Sequence, residues 1–148
     1  MQLFRSAGIE PSLETFDNRL QLQKLTYLLE VFGMDLGFRF NWYLHGPYNR
    51  FVTKVLFDSD KAESEREVED VFTNEKKKLS ILKEFLGSDI NSSRTLELIV
   101  SLHYLLVLGK RSGVKDEQIV KQLHDLKPYF SEEEILYYCK RIRSFIPM

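Results

Sequence analysis

RLQLQKLTYLLEVFGMDLGFRFNWYLHGPYNR, residues 19–50, decides the fold. Leu22, Leu25, Leu29 and Phe32 recur at intervals of three, four and three, a helical core stripe that Leu28 and Val31 widen. The pattern predicts a helix from about Asp17 to Phe32, stopped by Gly33, with Arg19, Gln23 and Glu30 facing water. The period then changes. Phe38, Phe40 and Trp42 alternate with Arg39, Asn41 and Tyr43, as in a half-buried strand. Gly46-Pro47 predicts its end, because proline cannot donate to a ladder and the pair favours a turn.

A short helix is expected over Asn49–Phe57 with Phe51, Val52 and Val55 inward, followed by a charged surface loop, DSDKAESERE, residues 58–67. Val68–Phe72 fits strand or helix, and part of Glu67–Thr73 is the expected hairpin partner of the aromatic strand. A helix from Asn74 or Glu75 to Leu86 buries Leu79, Leu82, Phe85 and Leu86 and ends at Gly87. Ser92 or Ser93 caps a helix to Leu108 that is apolar on most sides and stops at Gly109. Asp116–Leu126 is a shorter helix, and Lys127–Phe130 is a turn. Ser131 and Glu134 form a capping box for a last helix to about Ser144. The expectation is a mainly α (α+β) single domain, residues 1–148, of about five to seven helices with a small antiparallel β element.

Composition narrows the function classes. With 21 Lys+Arg against 22 Asp+Glu, the chain lacks the basic excess of a nonspecific nucleic-acid binder. Its single cysteine, Cys139, rules out an internal disulfide and a Cys-rich zinc site. MQLFRSAGIEP lacks the apolar core of a signal peptide, and Leu96–Leu108 is too short and too polar to span a bilayer. A cytoplasmic protein is expected, without cofactor or metal.

Individual residues offer little chemistry. His45, His103 and His124 have no metal-ligand spacing, and His103 reads as a hydrogen-bonded core residue. Asp58, Asp60 and Glu69 echo a calcium loop, but Ala62 and Glu63 stand where an oxygen ligand and the turn glycine are needed. Arg39 and His45 have the spacing of helical ribonucleases of the HEPN type, yet they fall in a strand pattern and a turn rather than at a helix start. Cys139 has basic neighbours but no nearby base in sequence, so it reads as a structural thiol. Lys76, Lys77 and Lys78 read as a solvated face. The last two helices make a poor DNA reader, because the second opens on Glu132, Glu133 and Glu134.

The series Gln23-Lys24-Leu25-x-Tyr27, then Trp42-Tyr43-x-x-Gly46-Pro47-Tyr48, resembles the N-terminal signature of the YwgA-like uncharacterised proteins, related to the SocA/Panacea antitoxin-type domains. Val120-x-x-Leu123, Lys127-Pro128-x-Phe130 and Glu133-Glu134-Ile135 extend the resemblance over most of the chain. SocA/Panacea domains usually carry a small apolar residue after Gly-Pro, so Tyr48 favours the YwgA-like branch. The resemblance implies action through protein contacts, as an antitoxin or adaptor. Gln23, Lys24, Leu25, Tyr27 and Trp42 are the expected structural motif, in which Tyr27 and Trp42 pack the helix on the strand. His45, Gly46, Pro47, Tyr48, Asn49 and Arg50 are the expected protein-binding loop, since aromatic residues and arginine on a rigid turn typify recognition sites. The expected function is therefore a noncatalytic protein-interaction module with no membrane contact. The alternative is a nucleic-acid-binding regulator of winged-helix-like arrangement.

Overall fold

The structure, a computed structural model, describes residues 4–5, 10–34, 36–64 and 73–146. Among the described residues it is mainly helical with one small antiparallel β ribbon, and it divides into two compact units, residues 1–93 and 94–148.

The first unit is built on α1 (Phe16–Val31). Thr15 caps it, its Oγ1 accepting from the Asn18 amide at 3.0 Å. At the other end the Gly33 amide donates to Glu30 and the Met34 amide to Leu29, each at 3.0 Å. This is a Schellman stop, and it needs the left-handed backbone that Gly33 adopts at φ 101°. The ribbon β1 (Asn41–Tyr43) and β2 (Gly46–Tyr48), then α2 (Arg50–Ser64) and α3 (Thr73–Leu86), follow. A 3-10 turn, Gly87–Asn91, closes the unit.

β2, α2 and α3 all pack against α1. That is why α1 is not the amphipathic helix its leucines suggest: Leu22 to Leu29 are buried without a break. Gln23, expected to face water, is fully buried, and so are Lys24 and Thr26. Thr26 answers its own polarity by donating to the Leu22 carbonyl at 2.7 Å. Leu79, Leu82, Phe85 and Leu86 of α3 are buried as their spacing predicts, with Phe85 against the Phe32 ring at 5.7 Å.

The ribbon corrects two expectations. The aromatic strand pairs with Gly46–Tyr48, in the register Asn41 to Tyr48, Trp42 to Pro47 and Tyr43 to Gly46. Pro47 thus lies within a strand rather than ending one, which a two-stranded ribbon allows because both its strands are edges. Of the partner expected at Glu67–Thr73, only Thr73 is described, and it begins α3; residues 65–72 and the calcium-loop position Glu69 lie outside the described residues.

α2 is also longer than expected. It runs through residues 58–64 of the supposed charged loop, and it turns Val52 and Leu56 inward while Phe51 and Val55 remain about half exposed. The apolar spacing of this segment supports either face, and packing against α1 selects the Val52 side.

The second unit holds α4 (Ser93–Arg111, its first residue at the division), α5 (Asp116–Leu126) and α6 (Glu132–Phe145). α4 is buried on most sides, as expected, but it runs through Gly109. Gly109 serves packing instead: a Cβ there would sit 2.8 Å from Ile119 Cδ1. The stop is Gly113, at φ 72°, with the Val114 amide returning to the Gly109 carbonyl at 2.8 Å. α5 and α6 pack on each other, and their buried residues are Ile119, Val120 and Leu123 on α5 and Ile135, Cys139 and Ile142 on α6. Ser131 Oγ accepts from the Glu134 amide at 3.1 Å, giving one half of the expected capping box. The Glu134 carboxylate is instead held by both terminal nitrogens of Arg94.

Candidate functional site

The buried polar residues of α1 are where the sequence motif acquires a physical meaning. The Gln23 amide is placed against the main chain just after β2. Its Nε2 donates to the Asn49 carbonyl at 2.7 Å, and its Oε1 accepts from the Asn49 amide at 3.1 Å. The side chain thus pairs with a peptide unit as a neighbouring strand would, and Nε2 also donates to Thr53 Oγ1 at 3.2 Å. One turn position on, the Lys24 ammonium donates to the Pro47 carbonyl at 2.7 Å. A proline offers only its carbonyl to the surroundings, and here the buried cation meets it. Tyr27 adds an edge-to-face contact with Phe40 at 5.2 Å.

Asn49 then joins three elements. Its main chain is held by α1, its Oδ1 accepts from the Phe51 amide at 2.8 Å at the start of α2, and its Nδ2 donates to the Arg39 carbonyl ahead of β1. Arg39, Asn41 and Tyr43, the alternate outward set of the aromatic strand, are consequently drawn beside Tyr48, Arg50 and Phe51. Together with Asn49 they line a cleft of about 340 Å³. Tyr43 meets Tyr48 edge to face at 5.7 Å, and the Arg50 guanidinium lies 4.9 Å from the Phe51 ring centre.

Comparison of the chain with protein-family models, with curated proteins and with solved structures gives no match.

Of the six loop residues expected to bind, Tyr48, Asn49 and Arg50 reach the cleft. Gly46 and Pro47 are buried and do not line it, and His45 is half-buried in the hairpin turn, its ring edge-on to Phe16 at 5.6 Å. Arg39 and His45 therefore do not meet on the cleft lining. Sequence reasoning missed Arg39, Asn41, Tyr43 and Phe51 as members, although the alternation of residues 38–43 already placed the first three on one outward face. Gln23 and Lys24 carried no periodicity signal, since both break the apolar stripe.

The second unit holds titratable groups of a different kind. Burial, with the nearby Arg143 charge, pushes His103 down to about 4, so it is neutral at ordinary pH. Burial and the Asp116 carboxylate push the Cys139 thiol up to about 11, which suits a packed thiol and not a nucleophile. His124 Nδ1 donates to the Phe130 carbonyl at 2.6 Å and so fixes the turn after α5. The Tyr129 hydroxyl donates to Glu97 at 2.6 Å and accepts from Lys127 at 3.2 Å. Burial, offset by Glu97, pulls Lys127 down, while burial and Glu97 together raise Tyr129. This network satisfies an almost fully buried lysine and explains Lys127 in the Lys-Pro-x-Phe motif as structural. Among the described residues, no group of three or more His, Cys, Asp or Glu gathers to hold a metal ion, and no helix is long and apolar enough to cross a membrane.

Proposed function

We propose that the protein is a noncatalytic interaction module of the cytoplasm, of the YwgA-like and SocA/Panacea-type kind, that binds another protein through the cleft around Tyr48, Asn49 and Arg50. The observation that carries the reading is the support beneath those residues. Two buried polar side chains, Gln23 and Lys24, are committed to the backbone of a loop whose outer side presents arginines and aromatic rings. A loop held rigid from below loses little entropy on binding, and arginine and tyrosine are the residues that dominate protein interfaces. An antitoxin or an adaptor would use such a surface in the same way.

The test is an affinity pull-down of the tagged full chain from its native host after nuclease treatment, read by mass spectrometry beside the Tyr48→Ala and Arg50→Ala variants. One stoichiometric protein partner, lost from both variants, is the expected result. Equal recovery on all three baits would refute the site. Recovery of nucleic acid alone, in an untreated control, would favour the regulator of winged-helix-like arrangement.

A further inference from the structure

We infer that the occupant of this cleft is an acidic segment of the partner, with carboxylates meeting Arg39 and Arg50 and an adjoining apolar side chain resting on Tyr43, Tyr48 and Phe51. The inference rests on the protein-binding reading above and names the chemistry of what binds. Its basis is charge complementarity. The lining contains two guanidinium groups and no carboxylate, although the chain as a whole carries one more acidic than basic residue. No carboxylate among the described residues pairs with either arginine, whereas Arg94 and Arg143 in the second unit are both paired with acids.

The position of Arg50 adds to this. It is the first residue of α2, and the first turn of that helix holds no acidic residue. A cation there opposes the helix dipole, so helix stability does not account for it; an anion arriving from outside does. Lys54, exposed four residues later, continues the positive edge along the same helix face. Three aromatic side chains beside the arginines supply the apolar contact that a carboxylate alone would not use. A peptide fits better than a nucleic-acid strand. Two guanidiniums within about 340 Å³ meet one or two anionic groups, while a strand needs a track of cations along successive phosphates.

The experiment selects random peptides of about twelve residues, displayed on phage, against the full chain, and then measures the best synthetic peptide by fluorescence anisotropy. The expected pool is enriched in Asp and Glu next to apolar residues. Its affinity should fall about tenfold or more in Arg39→Glu/Arg50→Glu and weaken as salt rises. Arg39→Gln/Arg50→Gln, with its circular dichroism checked, gives the same answer should charge reversal disturb folding. A pool without acidic enrichment, no pool at all, acidic peptides that bind wild type and variants alike, or displacement of the peptide by an oligothymidylate would each overturn the inference. A native partner that is lost on Tyr48→Ala but retained by Arg39→Gln/Arg50→Gln would leave the loop reading standing and this inference refuted.

Discussion

Gln23 holds Asn49 by both ends of its amide, donating at 2.7 Å and accepting at 3.1 Å across 26 residues of chain. Because the acceptor and donor are both main-chain atoms, the identity of residue 49 is read elsewhere, by its own side chain on Phe51 and Arg39.

Removing that clamp should cost stability. Gln23→Ala strands a half-buried peptide unit and is expected to destabilise the chain by about 1–3 kcal/mol in urea titration. Gln23→Glu keeps the shape but sets a carboxylate oxygen against the Asn49 carbonyl, so it should cost no less. If either variant matched wild type, the clamp would have no energetic content.

Gly109 offers a test of packing in the second unit. Gly109→Ala gains helix propensity, but its new methyl lies 2.8 Å from Ile119 Cδ1. Ile119→Val deletes that atom. The alanine should therefore be better tolerated in the Ile119→Val background, by about 1 kcal/mol or more of coupling in a double-mutant cycle. Strict additivity would mean that the contact relaxes without cost.

The pH dependence follows from His103, which lies at about 4 in the folded chain against an ordinary 6.5. Above 6.5 both states are neutral and the stability is fully present. As pH falls through that value the unfolded chain takes up a proton that the folded one refuses, and stability declines until about pH 4. The loss is about 3 kcal/mol in order of magnitude. His103→Gln should flatten this part of the urea midpoint against pH between 6.5 and 4. A titration near 6.5 of the His103 ring itself in the folded chain, assigned by NMR, would contradict it.

Cys139 is buried, with its thiol pushed up to about 11. Its reaction with a disulfide reagent at neutral pH should be about a hundredfold slower in the native chain than in urea. Reaction at similar rates in both would show the thiol to be open to solvent.

The periodic part of this fold was legible. Leu22, Leu25 and Leu29, the buried set of α3, and the bounds of α5 followed from spacing, because those residues meet the core whatever their neighbours do. What escaped depends on partners distant in sequence. Gln23 looks solvent-facing until the Asn49 backbone is brought to it, and Pro47 looks like a strand end until Trp42 is found opposite. Gly109 looks like a stop because nothing local reveals that Ile119 occupies the space of its missing side chain. The cleft was half legible: the outward alternation of Arg39, Asn41 and Tyr43 was in the sequence, but their meeting with Arg50 and Phe51 depends on Asn49 tying the two segments together.

The most direct test of the account is a residue-resolved map of binding: the partner recovered by pull-down is added to the isotope-labelled chain and amide shifts are followed by NMR. The account predicts perturbations centred on Arg39, Tyr43, Tyr48, Arg50 and Phe51, and their absence in Tyr48→Ala. Perturbations centred on α5 and α6, with the hairpin unchanged, would contradict it.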